Sequence, residues 1–441
     1  MKTACCRTLL LLLWALLFVS PSACGQSSPI DITGYDIQAR TTVVDSALHV
    51  QARVELTKPG TLDSFTILLS SRARLTSVTT AIPAGAVAIP YKPSSQDSLR
   101  LDLPQTLHGR TALTLDFDYT MPLPAGQDMV LLDRGHRWYP MVVDDIARLK
   151  LTANVPRAYT AFAPGDLVAQ DTIGLSSQFV WETAIPVFKI ALVIARSTLH
   201  HEAVRPVGSH ILQLYTTAAD TIANDSTLAE AARAFTFFAG LLGKYPHKRL
   251  TLVEVPQFDG MDIASGLVMV GTTFRESFAK GEWDGLGLCI AQQWFGAGVF
   301  AKFPDPGFWF LSLSLPHHLR LTYLRQTRGE EIFQRAMQHS LDAYREIAGT
   351  PGDMPILSVD MPNTREKGLA IYGKGPFILD RVRQRLGDAK WSGWMRGLYQ
   401  TYRGRILTYP EFEQSLAQYD PGGTVVPLLH KLVSESGLAK E

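Results

Sequence analysis

The sequence predicts an α+β fold: an N-terminal antiparallel β domain, then an α/β domain that ends in a helical bundle. Three observations carry this. Residues 36 to 200 alternate apolar and polar side chains with frequent turn signals, helical spacing sets in near residue 205, and from Asp284 onward the pattern is almost wholly helical. The composition is globular, with 46% apolar and 19% charged residues in a chain of 441. That length is ample for two or three domains with large buried cores.

The first element is a leader. Lys2 and Arg7 form a short positive region, Thr8 to Val19 is an apolar run, and "SPSACGQSS" supplies small residues for cleavage. The run falls short of the roughly 18 apolar residues of a spanning helix. Residues 1–25 therefore read as a signal peptide, and the protein is expected to be exported: periplasmic, lipid-anchored at the cell envelope, or secreted. Two processing routes stay open, cleavage after Gly25 or a lipobox at Ser22-Ala23-Cys24 that would attach the chain to a membrane through a lipidated Cys24. Cys5, Cys6 and Cys24 lie in this leader, so the body keeps Cys289 alone and no intrachain disulfide is expected there.

The β domain, residues 26–204, follows from period-two runs. "LHVQARVEL" places Leu48, Val50, Ala52, Val54 and Leu56 on one face, and "LTLDFDYTM" does the same with Leu113, Leu115, Phe117 and Tyr119. Turn signals at "KPG", "IPAG" and "PLPAG" separate such runs. The second domain, residues 205–441, opens with "STLAEAARAFTFFAGLLGKY", where Ser226 is a candidate N-cap and Leu228, Ala232, Phe235 and Leu242 are helically spaced. "HKRLTLVEVP" reads as a short strand. Lys plus Arg (42) nearly balances Asp plus Glu (41), so charge gives no reason to expect nucleic acid as a partner.

Several phrases, in this order, resemble the zinc aminopeptidase family of the alanyl aminopeptidase type. "RWYP" (137–140), "VPRAYTAFAPGDLV" (155–168) and "FVWETAIPVFKIALVIA" (179–195) look like that family's N-terminal domain. "GKYPHKRLTLVEVP" (243–256), "GMDIASGLVMV" (260–270), "QQWFG" (292–296), "YGKGPFILDRVRQRLGD" (372–388) and "TYPEFEQSLAQYD" (408–420) are similar to its thermolysin-like catalytic domain and the helices that follow. The resemblance spans nearly all of residues 35–430. It implies a gluzincin fold and a metallopeptidase ancestry.

The family's zinc helix carries H-E-x-x-H, with a further Glu on the next helix. Two His at i and i+4 share a helix face and ligate one zinc, the Glu between them polarises water, and a third ligand leaves one position open. Aligned on Trp294-Phe295-Gly296, this sequence has Leu288, Cys289 and Gln292 at those positions, and Ser312 (or Leu311) at the further Glu. Leu has no donor atom, and the neutral oxygens of Gln and Ser suit zinc poorly. No metal, no cofactor and no catalytic residue is therefore expected. Asp262 stands where the family's Glu holds a free amine, and Tyr372 where its Tyr stabilises an oxyanion.

These positions also have plain structural readings. His317 and His318 begin a helix near Pro316, point about 100° apart, and read as partly exposed or hydrogen-bonded rather than as a substitute zinc site. Cys289 lacks a neighbouring base in sequence and reads as a packing residue. Arg381, Arg383 and Arg385 spread around their helix as a solvated face. The resemblance without its chemistry implies a pseudo-peptidase that binds a peptide or protein partner in a cleft lined by Asp262, Gln292, Gln293, Ser312 and Tyr372. The alternatives are an active metallo-aminopeptidase with an unorthodox metal site and a purely structural cell-envelope module.

Overall fold

The computed structural model describes residues 28–41, 46–95, 97–124, 127–199 and 201–438. The expected signal peptide and Cys24 lie outside these residues. The fold is α+β, with a β-rich N-terminal part, a central α/β part and a helical C-terminal part.

The β part is built on an eight-stranded sheet ordered Asp166–Ile173, Ser176–Glu182, Arg148–Pro156, Asp31–Thr41, Ala47–Thr57, Ala112–Pro122, Arg74–Ile82 and Gly85–Ala88. Strand Ala47–Thr57 buries Leu48, Val50, Ala52, Val54 and Leu56 on one face, and Ala112–Pro122 buries Leu113, Leu115, Phe117 and Tyr119. The alternation read in the sequence is thus the burial pattern, because successive side chains on a strand point to opposite faces. One pairing departs from antiparallel: Asp31–Thr41 runs parallel to Arg148–Pro156. A three-stranded sheet, Tyr159–Phe162, Leu192–Arg196 and Met129–Leu132, carries the β part onto the next.

The central sheet has the order His201–Val207, His210–Thr216, Arg249–Glu254, Leu267–Val270 and Met261–Ala264. Its first strand pairs antiparallel with His210–Thr216, so the strand straddles residue 204 and belongs to this sheet. Helix α1 (Thr221–Leu242) crosses between the parallel strands His210–Thr216 and Arg249–Glu254. It starts before the expected Ser226, because the Asp220 carboxylate caps it by accepting from Ala223 N at 3.0 Å. Helices α2 (Thr272–Ala279) and α3 (Asp284–Gln292) follow the hairpin Met261–Ala264/Leu267–Val270.

The helical part comprises α4 (Leu315–Arg328), α5 (Glu330–Arg345), α6 (Arg365–Leu369), α7 (Gly375–Leu386), α8 (Asp388–Tyr402), α9 (Tyr409–Ala417) and α10 (Val425–Ser434). Its core is continuous with that of the central sheet and includes Phe235, Trp294, Trp391, Trp394 and Phe412. Arg383 corrects the expectation of a solvated arginine face: it is buried, and its guanidinium donates to Asp380 (2.8 Å) and to Asp388. Facing carboxylates make that burial tolerable, since a buried charge needs a partner.

The β part and the central sheet share an apolar cluster: Phe162, Ala191 and Val193 pack with Val253, Leu267 and Met269. Gly165 N donates to Ser265 O at 2.8 Å across the same boundary, and Lys302 Nζ, beyond the central sheet, donates to Asp144 of the β part at 2.7 Å. Among the described residues, no helix is long and apolar enough to cross a membrane.

Candidate functional site

Helix α3 is the element that would carry a zinc motif. Leu288 and Gln292 lie one turn apart on a common face, yet Leu288 is only 2% exposed and packs as hydrocarbon. Cys289 is equally buried, with Sγ 3.7 Å from the Met261 thioether. Burial pushes its thiol up to about 12, with the Asp262 charge adding to the shift. At neutral pH it is a protonated thiol without nucleophilic character.

Where α3 meets the hairpin, the Met261 side chain packs over a glycine. A Cβ placed on Gly285 would lie 2.5 Å from Met261 Cε, so a side chain there would require the Met261 thioether to move aside. At the other end of α3, Gln293 holds the same hairpin. Its Oε1 accepts from Tyr245 Oη (3.0 Å) and Gly266 N (3.0 Å), and its Nε2 donates to Ala264 O (3.1 Å). Gln293 is 1% exposed. It was expected to line the cleft, but it is a structural clamp that satisfies backbone groups of a tight turn.

Asp262 projects from the hairpin and is already engaged. Lys189 Nζ, from the β part, donates to its Oδ1 at 2.5 Å, and both side chains are largely buried. Burial raises the Asp262 carboxyl above its ordinary value, the Lys189 ammonium opposes that rise, and Asp133 adds to it. The position that the resemblance assigns to an incoming amine is thus occupied by an ammonium of the chain itself. Lys189 went unnoticed in the sequence; the signal was a lone cation inside "VFKIALVIA".

Tyr372 lies on a π-helical turn, Ala370–Lys374, that leads into α7, and Ser312 on a second such turn, Phe310–Ser314, that leads into α4. The turns are joined by Ser314 Oγ donating to Ile371 O at 2.6 Å. Gly375 permits this approach, because a Cβ there would fall 2.1 Å from Ser314 Oγ. Tyr372 is 3% exposed; burial and the neighbouring Cys289 push its phenol well up. Its ring meets His317 edge-on with centroids 5.6 Å apart.

The two histidines are more buried than expected and diverge as adjacent helical residues do. His317 faces Tyr372 and Arg320, and burial, with Arg320 and His318 nearby, drives its imidazole well below the ordinary range. His318 turns to the Asp380 carboxylate (3.7 Å) and the Trp391 ring. Asp262, Cys289 and Tyr372 therefore share one electrostatic neighbourhood at the floor of the site. Gln292 and Ser312 are half-buried and make no side-chain hydrogen bond to another described residue.

The donor set does not fit a zinc ion. Leu288 offers nothing, the Cys289 sulfur is buried against the Met261 thioether, and Gln292 and Ser312 offer neutral oxygens. Among the described residues, no three His, Cys, Asp or Glu side chains cluster in a way that could hold a metal. What these positions offer is an internally neutralised ion pair, a buried phenol, and half-buried amide and hydroxyl groups on Gln292 and Ser312.

No protein-family model matches the chain. It is 26% identical over 211 residues to human (Homo sapiens) aminopeptidase O, a match covering 41% of this chain and 25% of that protein. The chain thus spans about a quarter of the length of that relative. An M1 zinc metallopeptidase from Deinococcus radiodurans superposes with a TM-score of 0.72 at 16% identity, over 95% of this chain and 96% of that one. A mutant of that enzyme bound to a Tyr-Ser-Ala substrate gives 0.71 at 17% identity, over 95% and 96%. The chain accordingly has the architecture of the M1 zinc metallopeptidases.

Proposed function

We propose that this chain is an exported, non-hydrolysing homologue of zinc aminopeptidases that acts by binding a peptide or protein partner. One observation carries the reading: Leu288 and Cys289 stand where a ligand and a water-polarising carboxylate are needed, and both are packed into the core. A neutral rim of Gln292 and Ser312 remains for hydrogen bonding, beside Asp262 and Tyr372. Because Lys189 occupies Asp262, a free α-amine must displace an internal ammonium to enter. The partner is therefore an internal peptide segment or a protein loop, not a free N-terminus.

The test compares free and N-acetylated forms of one peptide library by fluorescence anisotropy, with mass spectrometry of each peptide after incubation. Binding of acetylated members at least equal to that of free ones, with every peptide intact, is expected. Loss of N-terminal residues, or a marked preference for the free amine, would overturn the reading. Export, and anchoring through Cys24, is tested by cell fractionation of the chain and of Cys24→Ser. An unchanged distribution of the variant would leave secretion or a free periplasmic protein.

A further inference from the structure

We propose that a second pocket, between the β part and the central sheet, binds a free aromatic α-amino acid as its zwitterion. This site is separate from the cleft and does not depend on the reading given above. The pocket has a volume of about 350 Å³, near the low end for small-molecule sites and suited to a single residue rather than a peptide.

One wall is aromatic. Phe179 and Trp181, two apart on strand Ser176–Glu182, lie nearly parallel with centroids 5.8 Å apart. Phe162 adds a third ring, packed on Tyr215 at 4.5 Å. The other wall is polar and comes from one face of three adjacent strands. Glu202 lies directly across from Tyr215 in the register, Gln213 is two residues before Tyr215, and Arg249 stands on the next strand. Period-two geometry thus brings all four side chains to the same face.

Their hydrogen bonds arrange two opposite charges around one amide. Gln213 Nε2 donates to Glu202 Oε1 (2.9 Å) and Tyr215 Oη donates to the same oxygen (2.8 Å). Arg249 Nη1 donates to Gln213 Oε1 (3.2 Å). Among the described residues, neither Glu202 nor Arg249 forms an ion pair with an opposite charge. A guanidinium and a carboxylate held one amide apart match the carboxylate and ammonium of an α-amino acid, which are themselves separated by one carbon. The guanidinium can take the ligand carboxylate in a charge-assisted pair, the second Glu202 oxygen the ammonium, and the aromatic wall the side chain. A polyanion is disfavoured, because Glu202 would face it.

Isothermal titration of the full chain with L-phenylalanine tests this, alongside N-acetyl-L-phenylalanine, which lacks the ammonium, and L-phenylalaninamide, which lacks the carboxylate. One saturable site for phenylalanine is expected, with each blocked form weaker by about tenfold or more, the scale of one charge-assisted hydrogen bond. Arg249→Gln and Glu202→Gln should each weaken phenylalanine by a similar factor. Glu202 is exposed and its replacement isosteric, so that variant tests the site even if Arg249→Gln folds poorly. Absence of saturable binding, equal binding of the blocked forms, or an affinity untouched by Glu202→Gln would overturn the proposal.

Discussion

The cleft floor and the inter-domain pocket treat charge in opposite ways. In the cleft, Lys189 and Asp262 close directly on each other, and Leu288, Cys289 and Tyr372 are buried. In the pocket, Glu202 and Arg249 are kept apart by the Gln213 amide and retain unused hydrogen-bonding capacity. A direct pair neutralises itself, whereas a bridged pair leaves both charges able to meet a ligand. In this chain the charges beside helix α3 are paired with each other, whereas those of the pocket are held apart.

The largest expected effect comes from breaking the direct pair. Lys189→Met leaves the Asp262 carboxylate buried without its cation and should cost about 3 kcal/mol of unfolding free energy in urea titration. Adding Asp262→Leu should recover most of that loss, because an apolar pair of similar volume does not carry the desolvation cost. The single variant also acquires a pH signature. Its Asp262 value, already raised in the wild type, should rise further, so the folded state binds more protons than the unfolded one and stability falls as pH increases. Lys189→Met should therefore be less damaging near pH 4 than near pH 8. A deficit that is the same at both would mean that the carboxylate is solvated.

Next in size is the contrast between two adjacent glutamines. Gln293→Ala abandons Tyr245, Gly266 and Ala264 and should cost about 2 kcal/mol, since buried partners are left unsatisfied. Gln292→Ala, which breaks no side-chain hydrogen bond, should stay within about 0.5 kcal/mol. Equal costs would erase the distinction between clamp and rim. The smallest effect concerns the thiol. Cys289→Ala should cost roughly 1 kcal/mol through lost packing, and the native Cys289 peptide should resist iodoacetamide at pH 8 until denaturant is added, as its raised value requires. Rapid native alkylation would show an accessible, activated sulfur.

Much of this was legible in the sequence where the physics is local. Alternation from Leu48 to Leu56 and from Leu113 to Tyr119 marks strands because one sheet face is buried. The order of short phrases from Arg137 to Asp420 foretold the architecture. What was missed depends on distant contacts. Asp220 caps α1 from a polar stretch with no helical period. His317 and His318 look partly exposed or hydrogen-bonded and Arg383 solvated on two separate helices, yet Tyr372, Asp380 and Asp388 bury them in space. Lys189 and Asp262 are 73 residues apart, and only the docking of the β part on the hairpin brings them together. Gln293 next to Gln292 looked like a second rim residue, and only the backbone groups of the 264–267 turn reveal its role.

The most direct measurement is the zinc content of the full chain, expressed with zinc supplied and purified without chelator. Far less than one equivalent per chain is expected, because Leu288, Cys289, Gln292 and Ser312 do not form a donor set for zinc. One tightly held zinc per chain would contradict that conclusion and make peptide hydrolysis the first activity to assay.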